Sequence, residues 1–116
     1  MTNRSLPAYQ SLVAEFVTEH NLDASVETRL LDLLSELGEV AKEALKTSQY
    51  GKLEGMQTEE WAAELGDVFF SLVCLANTTG VNLEETLEDT LTKYRQRLES
   101  AGDAGSGHED LHISIR

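Results

Sequence analysis

Apolar side chains recur at helical spacing along most of this 116-residue chain. No stretch of any length alternates apolar and polar residues as a half-buried strand does, and the chain has one proline. This periodicity predicts an all-α fold with four helices. The predicted helices run from about Leu6 to His20, from Ser25 or Val26 to about Lys46, from an N-cap at Thr58 to about Thr79, and from after Asn82 to about Ser100.

The third predicted helix is the most apolar of the four. Between Val68 and Ala76 almost every side chain is apolar, so this helix needs neighbours around most of its circumference. Three other short helices cover it thinly, which predicts a helical bundle formed by dimerisation, as a homodimer or a homotetramer. Residues 1–100 are expected to form a single domain, and the glycine-rich residues 101–116 a flexible tail.

Composition narrows the choice of partners and compartment. The chain has 21 acidic and 9 basic residues and a net charge of −12, which predicts that neither nucleic acid nor a membrane is a partner. Its one cysteine, Cys74, cannot form an internal disulfide and indicates a reducing, cytoplasmic setting. The opening MTNRSLPAYQ lacks the apolar core of a signal peptide, and the most apolar run, 68–76, is too short to span a bilayer.

A column of carboxylates lies beside the apolar face of the second helix. Its members are Asp32, Glu36, Glu39 and Glu43. A solvated polar side is the ordinary explanation for such a column. The third helix, however, repeats the pattern in an apolar setting, where a charged carboxylate is costly without a partner. Since the chain has few bases to supply that partner, a divalent metal ion is the simplest alternative.

Two helices therefore present carboxylate pairs with the same spacing, Glu36 with Glu39 and Glu64 with Asp67. A step of three residues puts both members of a pair on one side of a helix, so side-by-side packing brings four carboxylates to one point. Oxygen ligands suit Mg²⁺, or Mn²⁺ as a substitute, better than zinc or copper. No histidine follows these glutamates three residues later, so the Glu-x-x-His pattern of di-iron bundles is absent.

The same residues carry a family resemblance. SELGEVAKE followed by EEWAAELGDVFFSLVCLA resembles the signature of the MazG-like nucleoside triphosphate pyrophosphohydrolases, which is E-x-x-E, a gap, and E-x-x-D. Glu36 and Glu39 fill the first pair, Glu64 and Asp67 fill the second, and the gap lies within the family's range. The resemblance covers about residues 26–99.

The resemblance implies an all-α fold that dimerises. It also implies Mg²⁺-dependent hydrolysis of nucleoside triphosphates to monophosphate and pyrophosphate, which would clear non-standard or surplus nucleotides. By the same resemblance the four paired acids hold Mg²⁺, and Glu36 or Glu39 takes the proton of the attacking water. Replacing Glu39 with glutamine is expected to abolish turnover. One departure is Ser35, which occupies the place where many members carry a further glutamate.

Four residues are candidates for binding the substrate. Lys93 and Arg97 lie on one face of the fourth helix, where similar basic residues occur in this family. They would clamp the phosphates, or else complement the helix dipole and neighbouring acids, and both interpretations stay open. Lys52, between the two motif helices, is a candidate for contacting phosphate. Trp61, one turn before Glu64, would stack on a nucleobase or simply pack in the core.

Two other functions compete with a general pyrophosphohydrolase. One is a specialised member of the same superfamily that acts on dUTP, dCTP or phosphoribosyl-ATP. The other is a non-catalytic helical dimerisation module whose acids serve only solubility. Pyrophosphate release from a panel of nucleotides, with and without Mg²⁺, separates these alternatives.

Overall fold

The computed structural model describes residues 3–47 and 59–101, and the regular structure in these ranges is α-helical. The helices are α1 (Leu6–Glu19), α2 (Val26–Thr47), α3 (Glu59–Thr79) and α4 (Leu83–Ala101). The all-α prediction is confirmed, and the helix ends lie close to those expected. The predicted N-cap Thr58 falls outside the described residues.

Side-chain caps set the beginnings of the first two helices. Ser5 precedes α1, and its Oγ accepts a hydrogen bond from the Ala8 N–H at 3.2 Å. Ser25 precedes α2, and its Oγ accepts from the Thr28 N–H at 3.1 Å. Each serine satisfies an N–H that the first turn of a helix leaves without a partner, so both starts follow from local sequence.

The end of α3 depends on a left-handed glycine. Gly80 has a φ of +73°, and the following Val81 N–H donates to the Ala76 carbonyl at 2.9 Å. A Cβ at Gly80 would meet nothing within 4 Å. We therefore expect Gly80→Ala to lower the free energy of unfolding by about 1 kcal/mol, because the left-handed backbone alone is disfavoured for alanine.

Gly66 is the matched control for that substitution. It lies within α3, and a Cβ there would also meet nothing within 4 Å. Gly66→Ala is expected to raise the free energy of unfolding, by up to about 1 kcal/mol, because alanine is the better helix former. Denaturant unfolding of both variants checks the opposite signs. Equal effects at Gly66 and Gly80 would contradict the assignment of a backbone cost to Gly80.

Helices α1, α2 and α3 belong to one compact unit, within residues 1–82, in which α3 packs against both α2 and α1. Polar bonds join the beginning of α1 to the end of α3. The Gln10 Nε2 donates to Asn77 Oδ1 at 2.9 Å and to the Val81 carbonyl at 2.8 Å. In return, the Asn77 Nδ2 donates to the Gln10 carbonyl at 3.0 Å. These bonds satisfy a buried side chain and fix the position of α1 along α3.

The link between α1 and α2 is held by a buried cation. Arg29 is only 8% exposed, and its Nη2 donates to the Leu22 carbonyl at 2.7 Å. In the same region Phe16 of α1 meets Phe70 of α3 edge-on, with ring centroids 6.0 Å apart. Together with the Gln10 bonds, these contacts hold α1 on the helix pair that carries the paired acids.

The apolar core within the described residues is small. Its buried apolar side chains are Val17, Val73, Cys74 and Ala76. Many larger ones stay exposed, among them Leu31 and Leu34 at 66% each and Phe69 at 44%. The expected enclosure of α3, which would desolvate its carboxylates, is not reached within a single chain, as the thin cover of three short helices suggested. Two of the large apolar residues of α3, Phe69 and Phe70, remain partly open to solvent.

Helix α4 lies in a second compact unit, which begins at Leu83. On it, the cationic groups of Lys93 and Arg97 lie 5.4 Å and 5.8 Å from the centroid of the Tyr94 ring. Within the described ranges, no helix has the length and apolar character needed to cross a membrane. A single domain at 1–100 stays a prediction, and so does the tail, of which residues 102–116 lie outside the described ranges.

Candidate metal site

Helices α2 and α3 bring three carboxylates together. Glu36 comes from α2, and Glu64 and Asp67 come from one side of α3. Each offers one oxygen, and the three oxygens all lie within 4.8 Å of one another. Glu36 and Glu64 are half-buried, whereas Asp67 is exposed. The structure thus brings together three of the four predicted metal ligands, which we call the carboxylate cluster.

The fourth predicted ligand, Glu39, lies beside the cluster rather than in it. Glu39 is exposed on α2 and is not among the three oxygens that meet. Its negative charge still acts on Glu64, and the two residues line the same cavity of about 280 Å³. The roles of Glu39 as ligand or as proton acceptor therefore stay predictions, as does the proton-acceptor role of Glu36.

Glu64 is surrounded by the negative charges of neighbouring carboxylates. Partial burial raises the pKa of the Glu64 carboxyl above its ordinary value of 4.5, and the charges of Asp67, Glu39, Glu36 and Glu43 raise it further. Two events relieve this repulsion, namely protonation of Glu64 or arrival of a cation. At neutral pH, where protons are scarce, a divalent cation is the better counter-charge.

The donor set fits a hard cation. All three groups are carboxylates, which are preferred ligands of Mg²⁺ and Mn²⁺. Bonds from Mg²⁺ to oxygen are about 2.1 Å long, so the three oxygens, which lie within 4.8 Å of one another, would have to move closer together to share one ion. The cluster is therefore compatible with one shared ion whose remaining positions are filled by water or substrate.

Glu64 also predicts a pH effect on the stability of the metal-free protein. Because its pKa is raised on folding, the folded chain holds this proton more tightly than the unfolded chain does. The resulting stabilisation is full below the unfolded value and is lost as the pH rises through the folded value. Glutamine has no proton to lose, so we expect the melting temperature of Glu64→Gln minus that of wild type to increase as the pH rises from about 4 to 7.

Thermal unfolding in the presence of a chelator measures this difference. Glu15→Gln is the control, because Glu15 is an exposed residue of α1 outside the cluster and its substitution makes the same change in net charge. It should give a much smaller difference from wild type across the same range. A difference between wild type and Glu64→Gln that does not vary with pH would contradict the repulsion inferred at Glu64.

Sequence reasoning missed two residues next to the cluster, Lys42 and Lys46, and it placed Glu43 only in the acidic column of α2. The cavity beside the cluster is lined by Glu39, Lys42, Glu43, Leu45, Lys46 and Glu64. Glu43 has a side chain that is 14% exposed, and its Oε1 lies 3.8 Å from the Lys46 Nζ. The missed signal was the repeat of acid and base along α2, in which Lys42 follows Glu39 and Lys46 follows Glu43 by three residues.

The other predicted site residues are placed as follows. Trp61 is half-buried on α3, one turn before Glu64. Lys93 and Arg97 lie on α4, on either side of Tyr94 in sequence. Lys52 falls outside the described residues. Contact of any of these residues with a substrate stays a prediction.

The packed helices α2 and α3, with the carboxylate cluster they share, make this chain an all-α protein with an acidic site between two helices. More specifically, residues 24–101 match the MazG nucleotide pyrophosphohydrolase domain. The chain belongs to this family. The match covers α2, α3 and α4 and includes both carboxylate pairs.

Individual relatives agree with the family match. The chain is 40% identical over 68 residues to the uncharacterized protein YpjD of Bacillus subtilis strain 168, and the alignment spans 56% of this chain and 60% of YpjD. Its fold is similar to the crystal structure of the Bacillus-conserved MazG protein, a nucleotide pyrophosphohydrolase, with 25% identity, a TM-score of 0.69 and coverage of 81% of this chain and 93% of that one.

A second solved structure is equally similar in fold. It is that of YpjD from Bacillus subtilis, a proposed pyrophosphatase, with 30% identity, a TM-score of 0.69 and coverage of 84% of this chain and 99% of that one. These relatives confirm both the family resemblance and the all-α fold expected from the sequence.

Proposed function

We propose that this protein hydrolyses nucleoside triphosphates, with ribose or deoxyribose, to nucleoside monophosphate and pyrophosphate in the presence of Mg²⁺. The observation that carries the proposal is the meeting of Glu36, Glu64 and Asp67 oxygens within 4.8 Å, in a chain of the MazG family. A non-catalytic module has no need for such a cluster, in which partial burial and then the neighbouring negative charges raise the pKa of Glu64. Removal of non-standard or surplus nucleotides is the role we infer for this activity.

Three residues of the cluster would hold the metal ion. Mg²⁺, or Mn²⁺ in its place, supplies the positive charge that offsets the charge growing on the phosphate oxygens during hydrolysis. Glu36, Glu64 and Asp67 would hold that charge between α2 and α3. Because they come from two packed helices, their geometry depends on the α2–α3 contact rather than on a loop.

Glu39 suits the task of proton acceptor better than Glu36 does. Glu36 belongs to the cluster, where one of its oxygens would bind the metal ion. Glu39 is exposed next to the cavity and outside the group of three, which leaves its carboxylate free to take the proton of an attacking water. The water oxygen then bonds to the α-phosphorus, and the bond from that phosphorus to the bridging oxygen breaks, so that pyrophosphate leaves.

We infer that the working assembly is a homodimer or a homotetramer. The described residues leave large apolar side chains exposed, including Leu31 and Leu34 on α2 and Phe69 on α3. Exposed apolar area of this kind favours association through the helix faces. Light scattering coupled to gel filtration tests the inference, and a monomer that persists at micromolar concentration would contradict it.

The activity is tested by measuring product formation from a panel of ribonucleoside and deoxyribonucleoside triphosphates, each with and without Mg²⁺. Nucleoside monophosphate and pyrophosphate are the expected products, formed only with metal. Turnover confined to dUTP, dCTP or phosphoribosyl-ATP would identify a specialised enzyme. If no triphosphate is hydrolysed although Mg²⁺ stabilises the fold, the proposed function is wrong.

A further inference from the structure

The cavity beside the carboxylate cluster is lined by basic as well as acidic residues. It has a volume of about 280 Å³ and is bounded by acids of α2 and α3 together with Lys42 and Lys46. The two lysines are four residues apart on α2, so their side chains lie on one face of the helix, one turn apart. A pair of ammonium groups therefore lies next to carboxylates that would hold a metal ion.

This placement is unusual for so acidic a chain. The described residues up to 82 contain four lysines and arginines, namely Arg4, Arg29, Lys42 and Lys46, and two of them line this single cavity. Lys46 has Glu43 as a neighbour at 3.8 Å, whereas Lys42 is exposed and forms no ion pair within the described residues. At least one ammonium group thus remains available for an anionic ligand.

The size and lining of the cavity indicate which part of a nucleotide it holds. Its volume of about 280 Å³ is near the lower limit of small-molecule pockets, which is roughly 300 Å³. Among the described residues of the lining, Leu45 alone is apolar and none carries an aromatic ring that could stack on a base. Lysine ammonium groups bind phosphate as point charges. The cavity fits a short phosphate chain better than it fits a whole nucleoside.

We propose that Lys42 and Lys46 bind the β- and γ-phosphates of the substrate, which leave together as pyrophosphate. The identity of this ligand rests on the proposed function. As the bond to the bridging oxygen breaks, the electron pair stays on that oxygen and negative charge grows on the leaving group. Lys42 and Lys46, which line the cavity together with Glu39 and Glu64, stabilise that charge.

Calorimetric binding of inorganic pyrophosphate in the presence of Mg²⁺ tests the proposal without requiring turnover. Lys42→Gln and Lys46→Gln should each raise the dissociation constant for pyrophosphate about tenfold, because each removes a charged partner of phosphate. Lys42→Arg keeps the charge and should bind nearly as wild type. Arg4→Gln is the matched control, since it makes the same charge change at a residue that lies against Tyr9, 5.7 Å from the ring centroid, and not in the cavity.

The outcomes separate this proposal from the proposed function. If Arg4→Gln lowers the affinity for pyrophosphate as much as the lysine variants do, the effect comes from overall charge and the proposal is overturned. Lysine variants whose pyrophosphate affinity and KM for nucleotide match those of wild type while hydrolysis continues would overturn it as well. Wild type that binds no pyrophosphate also overturns it. Lysine-dependent pyrophosphate binding without hydrolysis of any triphosphate supports the site and overturns the proposed function alone.

Discussion

Replacing Glu64 with glutamine is expected to lower kcat/KM for the preferred nucleotide by more than about a hundredfold, since even groups outside the metal's own ligand set contribute 10- to 100-fold. Four acids act on the charge of Glu64, namely Asp67, Glu39, Glu36 and Glu43, and one Glu64 oxygen is among the three that meet. Glutamine keeps the size of the side chain but removes the negative charge, so the cation loses a main partner. Steady-state kinetics with saturating Mg²⁺ measures the loss.

Two further variants make this result specific. Glu15→Gln, an exposed residue of α1, changes net charge equally and should keep wild-type activity. Glu39→Gln should also lose turnover, yet it should retain the rise in melting temperature caused by Mg²⁺, because Glu39 lies outside the group of three. Near-normal activity of Glu64→Gln would show that the carboxylate cluster is not needed for hydrolysis. A lost Mg²⁺ effect in Glu39→Gln would make Glu39 a ligand instead of a proton acceptor.

Removal of divalent metal by EDTA is expected to abolish hydrolysis completely, and excess Mg²⁺ or Mn²⁺ to restore it. The same ion should stabilise the fold, because it binds a site that exists only when α2 and α3 are packed together. At a free concentration 100 times the dissociation constant, the gain in the free energy of unfolding is about 2.7 kcal/mol. Thermal unfolding across a Mg²⁺ titration gives both the gain and the affinity.

The double variant Glu64→Gln, Asp67→Asn is the control for that titration. It keeps Glu36 but lacks two of the three clustered charges, so Mg²⁺ should add little to its melting temperature. An unchanged gain in this variant would mean that the ion acts on the general acidic surface of a chain with a net charge of −12. Hydrolysis that persists in EDTA would contradict the metal-dependent mechanism directly.

The helices could be predicted closely because their ends are determined locally. Ser5 and Ser25 each cap a helix through a side chain a few residues from the N–H that it accepts, and Gly80 ends α3 through its own backbone conformation. None of these signals needs a distant part of the chain. The periodic acids of α2 and α3 were equally readable, and they led to the three carboxylates that meet.

The details of the site were less predictable, since they depend on how two helices cross. Spacing alone placed Glu39 with Glu36, but the α2–α3 packing brings only Glu36 into the group of three. The burial of the α3 acids within one chain was hard to predict for a similar reason, because a helical pattern does not reveal which faces a neighbour covers. Asp67 is exposed and Glu64 only half-buried. The lysines of α2 were passed over because basic residues are denser on α4.

The thiol of Cys74 can report on the separation of the helices around it. Cys74, the one cysteine of the chain, is 2% exposed, and burial raises the pKa of its thiol, with Arg29 opposing that rise and Asp32 adding to it. A protonated, shielded thiol reacts with alkylating reagents only when the surrounding helices separate. Since both charges that act on this thiol come from α2, its labelling rate reports on the junction that carries the carboxylates. Ligands that bridge α2 and α3 will therefore slow alkylation, and their occupancy can be followed by mass spectrometry on unmodified protein.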